Sequence, residues 1–486
     1  MPEARLRVAV SRVLEQLGES RLRCLSAHHE PGLVRSSLFD GVRKEDKEEL
    51  LAAARDMRSH GSEEIRQRGL ELDRAVGCMV GMAVADSLGH RWEFEPVKDE
   101  VSEQRFDLST FEGYNETNRF QLKPGQWTDD CSMGLCVADS LLLRQELDGS
   151  DMRLRFWNWW HNGYNNAFRK DESRDRSVGL GGNIGASLED IQEGCTYVPK
   201  RTPAPMFAAK NEDAGNGSLM RNAAVPVFAC MDVASAQEIA RQQSYSTHPG
   251  PIAAEACAFL TFACIRALRT LGHKAAENPA KFLDVVTTEY LILLQSDLKA
   301  EKDEAKRNAM VLLGRLLRSE EPDSSLERSW NWKAPSLHIE NTLRARGSRY
   351  NGYEVSAGYY GSYSMDGLAM ALWCVYHTTD VNACIVRCVN FLGDADSTGS
   401  ICAQLAGSIY GHVDIDPRFL AWLKQWDDDD IATRAVLLHE VGRRSFAGVD
   451  GNALVGSLPG AETDQDGDTG SSDGDLGLMD ERCSPR

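Results

Sequence analysis

Apolar residues recur at helical spacing along most of this chain. Ile401, Leu405 and Ile409 stand four residues apart on one helix face, and Ala403 and Gly407 between them leave room for a close neighbouring helix. Similar patterns predict helices over Ala75–Asp86, Cys131–Leu143, Ala253–Leu271, Phe282–Leu298, Ala305–Leu317, Met365–His377, Asn382–Phe391 and Thr398–Tyr410. Stretches that alternate apolar and polar residues are scarce, so we predict an all-α fold.

The N-terminal region has a weaker helical pattern of its own. Leu6, Val10 and Val13 follow helical spacing, and Lys44–Met57 is typical of a second amphipathic helix. We interpret residues 1–70 as a helical extension that packs on the main body. A partner-binding arm is the alternative.

The C-terminal end differs from the rest in composition. Residues 449–486 contain nine acidic residues against Arg482 and Arg486, are rich in glycine and serine, and lack aromatic residues. Such a segment buries too little apolar surface to offset the entropy lost on ordering, so we predict a disordered acidic tail. Residues 71–448 are then the globular body.

The charge balance excludes some classes of function. The 486 residues include 54 basic and 73 acidic side chains, for a net charge of −19. This balance argues against the basic face that holds nucleic-acid phosphates and against docking on an acidic membrane surface. The apolar stretches at 77–85 and 367–376 are shorter than the roughly 20 residues of a spanning helix, so we expect no membrane span.

The thirteen cysteines are scattered and include no C-x-x-C pair, which argues against a zinc ribbon or a thioredoxin-type motif. We expect them to be buried thiols in a reducing compartment. The N-terminus lacks the continuous apolar segment of a secretory signal. We therefore predict a cytoplasmic protein, with nuclear and organellar locations left open. The oligomeric state is not readable from the sequence.

Two acidic clusters each stand directly before an apolar helix. The first is Thr128–Asp130, and the second contains Asp394, Asp396 and Ser397. Adjacent buried carboxylates repel and need a cation, although simple helix capping is the alternative for either cluster alone. Together they offer only oxygen donors, which suits two Mg²⁺ ions, or Mn²⁺, rather than Zn²⁺. The sequence does not show that the clusters meet.

Glycine-containing stretches offer a place for an anion. Ala214–Arg221 and Ser177–Asn183 each bring glycines to a predicted helix start, where backbone N–H groups can hold a phosphate. Ordinary glycine turns are the alternative. For His248 the alternatives are contact with a ligand and a structural hydrogen bond. Asp86 is either a site residue or a buried residue that forms a hydrogen bond across the core. Glu93 is either a site residue or an acid on the surface.

In order, these blocks resemble the ADP-ribosylglycohydrolase family, which shows G-D-A-L-G…E, T-D-D, G-N-G-x-x-M-R, T-H and G-D-x-D-[ST]-T. The matching positions are Asp86–Gly89 with Glu93, Thr128–Asp130, Gly215–Arg221, Thr247–His248 and Gly393–Thr398. The resemblance covers about residues 74–412. Ala85 and Ser87 depart from the opening block, and Ser397 stands where many members have threonine, which keeps the oxygen donor. The segment Lys299–Trp332 matches no block.

The resemblance implies an orthogonal multi-helix bundle over residues 71–448 with a two-Mg²⁺ centre. It implies hydrolysis of the bond between C1″ of ADP-ribose and a modified residue of a protein substrate. The implied metal ligands are Thr128, Asp129, Asp130, Asp394, Asp396 and Ser397. The implied catalytic residues are Glu93, Asp129 and Asp394. The implied substrate-binding residues are Gly179, Gly181, Gly215, Asn216, Gly217, Ser218, Met220 and His248.

Several points stay open on the sequence. The D-x-D-S-T and W-E-F motifs look more like the arginine-linkage branch of the family. Serine-linked, nucleic-acid-linked or O-acetyl-linked ADP-ribose are alternatives, as is a non-catalytic ADP-ribose-binding or structural member. Tyr359, Tyr360 and Tyr363 are candidates for stacking on adenine, against a packing role. We select Tyr360 for the predicted substrate site.

Overall fold

The computed structural model describes the greater part of the chain. The described residues are 2–17, 25–29, 36–97, 119–174, 176–209, 214–322, 328–347, 349–350, 353–354 and 360–447. They belong to one compact unit, Met1–Val449. The predicted acidic tail and Tyr359 lie outside the described residues.

Helices make up most of the described structure. The first nine are α1 (Pro2–Gln16), α2 (Lys44–Arg58), α3 (Glu63–Gly89), α4 (Asp129–Arg144), α5 (Gly149–Asn162), α6 (Gly182–Glu189), α7 (Ala224–Phe228), α8 (Val233–Tyr245) and α9 (Pro251–Leu268). The next nine are α10 (Lys274–Glu277), α11 (Pro279–Ala300), α12 (Glu304–Leu317), α13 (Ile339–Arg346), α14 (Ser364–Tyr376), α15 (Val381–Val389), α16 (Ala395–Tyr410), α17 (Pro417–Asp427) and α18 (Asp430–Ser445). A short 3-10 helix covers Asn216–Ser218.

The prediction of an all-α fold is confirmed. Within the described ranges, the paired strands are only β1 (Arg349–Tyr350) and β2 (Tyr353–Glu354), an antiparallel pair of two residues each. Every helix predicted from the apolar pattern is present, with ends that differ by a few residues. The exception is α3, which begins at Glu63 rather than near Ala75 and therefore runs through position 70. Its first turns are polar, and an apolar run alone does not detect them.

Small residues let α3 and α16 pack in close antiparallel contact. A Cβ added to Gly407 would lie 2.0 Å from the carbonyl oxygen of Gly77 at one end of the pair. A Cβ added to Gly89 would lie 2.5 Å from the carbonyl oxygen of Ala395 at the other end. Larger side chains at these positions would separate the helices. The contact therefore fixes the C-terminal end of α3 beside the first turn of α16.

The N-terminal helices pack against the rest of the described structure. Leu6, Val10 and Val13 of α1 are fully buried in the shared apolar core. Lys47 of α2 forms a buried ion pair with Asp430 at the start of α18, with 2.6 Å between Nζ and Oδ1. These contacts agree with a packed helical extension. The division at residue 70 stays a prediction.

Helix α9 (18 residues) is longer than the apolar stretches considered in the sequence. Among the described residues, it is the one helix of sufficient length and apolar character to cross a membrane. In this structure 89% of it is buried inside the protein. Core helices of this kind satisfy the same length and composition criteria as membrane spans. The sequence analysis did not consider α9 for this criterion, and the expectation of no membrane span stays a prediction.

Candidate functional site

The T-D-D motif is held at the N-terminus of α4 by a carboxylate from α3. Asp86 accepts hydrogen bonds from the backbone N–H of Thr128 at 2.9 Å and from its hydroxyl at 2.7 Å. It also accepts one from the backbone N–H of Cys131 at 2.9 Å. Asp86 is fully buried. It thus caps the first turn of a neighbouring helix and fixes where Asp129 and Asp130 lie.

The second acidic motif surrounds the N-terminus of α16. Asp394 is the N-cap residue and Asp396 stands in the first turn. The preceding Gly393 has a φ of 67°, and a Cβ there would lie 2.4 Å from a methyl group of Val97. Its carbonyl oxygen accepts from Phe94 N–H at 2.8 Å, and its own N–H donates to Glu95 at 2.9 Å. This pairing places Glu93 beside the α16 motif.

The two acidic motifs meet. Carboxylate oxygens of Asp86, Asp130 and Asp396 lie within 4.8 Å of one another, as do those of Glu93, Asp394 and Asp396. Asp396 is common to both groups. The close packing of α3 and α16 brings these oxygens together, although their positions in the chain are far apart.

Burial and mutual repulsion raise the pKa values in this acidic cluster. Burial, followed by the charges of neighbouring carboxylates, raises the pKa of Asp396 to about 8. Burial raises the pKa of Asp86 to about 6. The same causes raise the pKa values of Asp129, Asp130 and Glu93 well above the ordinary range. Without a positive charge nearby, the ionised forms are therefore disfavoured.

The cluster fits a divalent cation. Across the described ranges, neither lysine nor arginine forms an ion pair with Asp86, Asp129, Asp130 or Asp396. In the same part of the chain, Oδ1 of Asp130 and Oε2 of Glu93 are buried without a hydrogen-bond partner. Buried charged groups are normally either ion-paired or bound to a metal. The all-oxygen donor set suits Mg²⁺ or Mn²⁺.

Two predicted glycine stretches lie beside the cluster. Gly179 has a φ of 93°, and a Cβ there would lie 2.1 Å from Oδ1 of Asp129. A Cβ at Gly217 would lie 3.0 Å from the imidazole Cε1 of His248 and 3.0 Å from Ile184 of α6. These contacts bring the start of α6, Gly217 and His248 together. Gly181 directly precedes α6 and is exposed.

Asn216 and His248 have different surroundings. The amide of Asn216 donates to Oδ2 of Asp394 at 2.6 Å and to the carbonyl oxygen of Gly361 at 3.0 Å. It therefore ties the loop after Gly215 directly to the acidic cluster. His248 is buried, with Nδ1 2.8 Å from the hydroxyl of Thr247, and burial lowers its pKa to about 3. The imidazole is therefore neutral.

Three other predicted site residues contact neighbouring protein groups. The Ser218 hydroxyl lies 2.7 Å from that of Ser244. The sulfur of Met220 accepts a hydrogen bond from the Ser397 hydroxyl at 3.5 Å. Tyr360 is 1% exposed, with the Arg346 guanidinium 5.1 Å from its ring centroid. Its carbonyl oxygen accepts from the N–H of Asp394 at 3.1 Å.

This arrangement agrees with comparisons to known proteins. A sequence model of the ADP-ribosylglycohydrolase family matches residues 67–446. The chain belongs to this family. The predicted family resemblance is confirmed, and the chain is therefore a glycohydrolase enzyme. A solved structure described as an ADP-ribosylglycohydrolase-related protein complex matches with a TM-score of 0.51 and 26% identity, over 76% of this chain and 99% of that one.

Curated ADP-ribosylglycohydrolase relatives carry specific activities. An ADP-ribosylarginine hydrolase Tri1 of Serratia proteamaculans (strain 568) is 25% identical over 355 residues, which are 73% of this chain and 76% of that protein. The ADP-ribosyl-[dinitrogen reductase] glycohydrolase of Rhodospirillum rubrum is 25% identical over 356 residues, 73% of this chain and 90% of that protein.

Asp86 was missing from the predicted ligand set of this ADP-ribosylglycohydrolase. The sequence motif contained it, but nothing in the motif distinguished a hydrogen bond across the core from a place in the site. The structure shows that Asp86 does both, because one carboxylate caps α4 and lies within 4.8 Å of Asp130 and Asp396. Its position on the small-residue face of α3, three residues before Gly89, is the signal that could have indicated this.

Proposed function

We propose that this glycohydrolase removes ADP-ribose from a protein side chain, with arginine as the linkage, and that it depends on Mg²⁺. The convergence of buried Asp86, Asp130 and Asp396, none of which forms an ion pair with a described lysine or arginine, supports the proposal most strongly. The names of two curated relatives, an ADP-ribosylarginine hydrolase and an ADP-ribosyl-[dinitrogen reductase] glycohydrolase, support a protein substrate.

In this proposal the acidic cluster holds two Mg²⁺ ions, with Mn²⁺ as the alternative. The ligands are Thr128, Asp129, Asp130, Asp394, Asp396 and Ser397. When bound, the cations supply positive charge opposite the ribose hydroxyls and make water a better nucleophile. Asp86 keeps Thr128 and the first turn of α4 in place through its three hydrogen-bond donors.

Glu93 and Asp394 are the proposed proton-transfer residues, and Asp129 completes the catalytic set. Cleavage at C1″ leaves positive character on the ribose, which nearby carboxylates stabilise, and the departing side chain needs a proton. Oδ2 of Asp394 already accepts from Asn216. The unpartnered Oε2 of Glu93 is the better placed of the two for donating a proton to the leaving nitrogen.

The diphosphate is held by backbone groups rather than by basic side chains. The protein carries a net charge of −19, so overall attraction cannot hold an anion. The proposed cradle lies around Gly179, Gly181, the start of α6, Gly215 and Gly217, beside neutral His248. Ser218, Met220 and Tyr360 are the other proposed substrate-binding residues. Stacking of adenine on the Tyr360 ring requires that ring to become uncovered.

The direct test is the release of free ADP-ribose from an arginine-ADP-ribosylated protein in the presence of Mg²⁺. The Asp129→Asn, Asp394→Asn double variant should be inactive. Asp380→Asn is a matched control, because Asp380 is also an N-cap aspartate, on α15, and lies outside the cluster. If the double variant hydrolyses the substrate as fast as the wild type, the metal-site assignment is wrong.

Linkage and catalysis are tested by a second comparison. Arginine-, serine-, O-acetyl- and nucleic-acid-linked ADP-ribose should be assayed side by side, and the arginine linkage should be cleaved fastest. Calorimetry with free ADP-ribose completes the test. Tight binding without turnover of any linkage would indicate a non-catalytic ADP-ribose-binding protein instead.

A further inference from the structure

A second group of side chains that can bind a metal shares no residue with the acidic cluster. Four cysteines from three helices converge: Cys374 of α14, Cys384 and Cys388 of α15, and Cys402 of α16. All four are fully buried. The sulfur atoms of Cys374, Cys388 and Cys402 lie within 4.8 Å of one another. The sulfur of Cys384 is 3.3 Å from that of Cys402.

These separations suit a tetrahedral thiolate site. Four ligands at a zinc–sulfur distance of about 2.3 Å lie about 3.8 Å from each other. The sulfurs of Cys374, Cys388 and Cys402 are already within 4.8 Å of one another, and that of Cys384 lies 3.3 Å from the Cys402 sulfur. Movement of the Cys384 side chain toward Cys374 and Cys388 would complete the tetrahedron.

The centre of the group is Cys402. Its thiol interacts with those of Cys374, Cys384 and Cys388, which together with burial raise its pKa well above the ordinary range. The other described thiols form at most smaller groups. Cys78 and Cys264 interact as a pair, and Cys257 faces the Ser218 hydroxyl at 3.5 Å.

From this geometry we infer that Cys374, Cys384, Cys388 and Cys402 form a structural binding site for one soft, thiolate-binding cation of the Zn²⁺ type. Soft sulfur ligands select such ions, whereas the carboxylates of the acidic cluster select hard ones. Binding replaces thiol protons with the cation and so couples metal uptake to folding. Because the site is fully buried, the ion enters while the chain folds.

The thiol group also lies close to the acidic cluster. Thr398, in the first turn of α16, contacts the Cys388 thiol and donates its hydroxyl to the carbonyl oxygen of Asp394 at 2.8 Å. An ion held by the four sulfurs would join α14, α15 and α16 just behind the turn that presents Asp394 and Asp396. Its role is to fix that turn, and it does not depend on the proposed reaction.

The test is to produce the full chain in medium containing Zn²⁺ or Co²⁺ and to pass it through a chelator. The chelator removes hard ions held by carboxylates. The wild type should keep one Zn²⁺ per chain by elemental analysis. With Co²⁺ it should show the sulfur-to-cobalt charge-transfer band, which oxygen ligands do not produce. The band therefore separates this site from the acidic cluster and from the proposed function.

Variants locate the site. Cys402→Ser should lower the retained metal at least about tenfold and abolish the band, since it removes the central ligand. Cys264→Ser, a buried cysteine of α9 outside the group, should leave both unchanged. Cys384→Ser serves if Cys402→Ser does not fold. Wild-type chain that folds with Zn²⁺ present but holds none after the chelator, or equal retention in wild type and variants, would overturn the inference.

Discussion

Two groups of buried acids in this ADP-ribosylglycohydrolase differ in how their charge is balanced. Asp151 in α5 is fully buried, and Arg144 and Arg155 both donate to its carboxylate. These ion pairs lower its pKa although burial acts in the opposite direction. Asp396 is equally enclosed, yet its neighbours are other carboxylates, and its pKa rises to about 8. Burial alone therefore does not determine the state of an acid.

The difference shows which group serves stability and which serves a ligand. A buried carboxylate with two guanidinium partners is internally complete, and removing it leaves two positive charges unpaired. In a cluster of carboxylates without such partners, the negative charge is balanced only when a cation binds. Replacing an aspartate of the acidic cluster by asparagine is therefore expected to leave the stability of the fold unchanged and to abolish activity. The same replacement at Asp151 is expected to lower the stability of the fold and to leave activity unchanged.

The largest expected effect is the loss of activity in Asp396→Asn. Asp396 is shared by both groups of carboxylates, so its loss should lower hydrolysis at least about a thousandfold, or about 4 kcal/mol. The thermal midpoint without Mg²⁺ should not fall, because asparagine is uncharged at every pH whereas ionised Asp396 is repelled by the neighbouring carboxylates. Steady-state ADP-ribose release and calorimetry measure the two effects. Activity near the wild-type level would contradict the proposed site, and Asp380→Asn is the control.

Asp151→Asn should behave in the opposite way. Neutralising this carboxylate leaves buried Arg155 and partly exposed Arg144 with a poorer partner, so the free energy of unfolding should fall by about 3 kcal/mol. Denaturant unfolding measures the change. The folded variant should hydrolyse substrate at the wild-type rate. A large loss of activity at temperatures where the variant is fully folded would show that the two groups are coupled.

The change in thermal midpoint on adding Mg²⁺ should distinguish the acidic cluster from Asp151. A ligand that binds only the folded state at a concentration 100 times its dissociation constant stabilises it by about 2.7 kcal/mol. The thermal midpoints of the wild type and Asp151→Asn should both rise with Mg²⁺, while that of Asp396→Asn should not. An equal rise in all three would place Mg²⁺ binding outside the acidic cluster.

Much of this architecture follows from the sequence. Helical spacing predicts the helices because each buries one apolar face, and Ile401, Leu405 and Ile409 are all fully buried. The acidic motifs were found because their members are adjacent in the chain. Their meeting was not predictable, since it depends on the packing of Gly77 against Gly407 between distant segments.

The thiol group was missed for the same physical reason. Its members come one or two at a time from three helices. Only Cys384 and Cys388 form a short C-x-x-x-C pair, and Cys374 and Cys402 lie on other helices, so the sequence does not show that the four meet. The side-chain environment of Tyr360 was also not predictable, because the Arg346 that covers its ring comes from α13. Residues that act together through tertiary packing alone leave little trace in the local pattern.

The smallest expected effect concerns pH and extends the comparison to Glu440. This buried acid contacts His439 and Arg68, and although burial opposes it, these partners lower its pKa from 4.5 to about 2. Because the pKa is lower in the folded state, Glu440 stabilises the fold fully above pH 4.5 and loses this contribution as the pH falls toward 2. The acidic cluster, whose pKa values are raised, cannot contribute in this sense.

The variant Glu440→Gln isolates this contribution. Between pH 4.5 and 3 the wild type should lose about 2 kcal/mol more of its free energy of unfolding than Glu440→Gln loses. Denaturant titrations at several pH values measure the difference, with Asp380→Asn as an exposed control. Parallel pH curves for wild type and Glu440→Gln would show that the ion pair with Arg68 does not hold the Glu440 charge in the folded state. The contrast between internally paired acids and the acidic cluster would then rest on Asp151 alone.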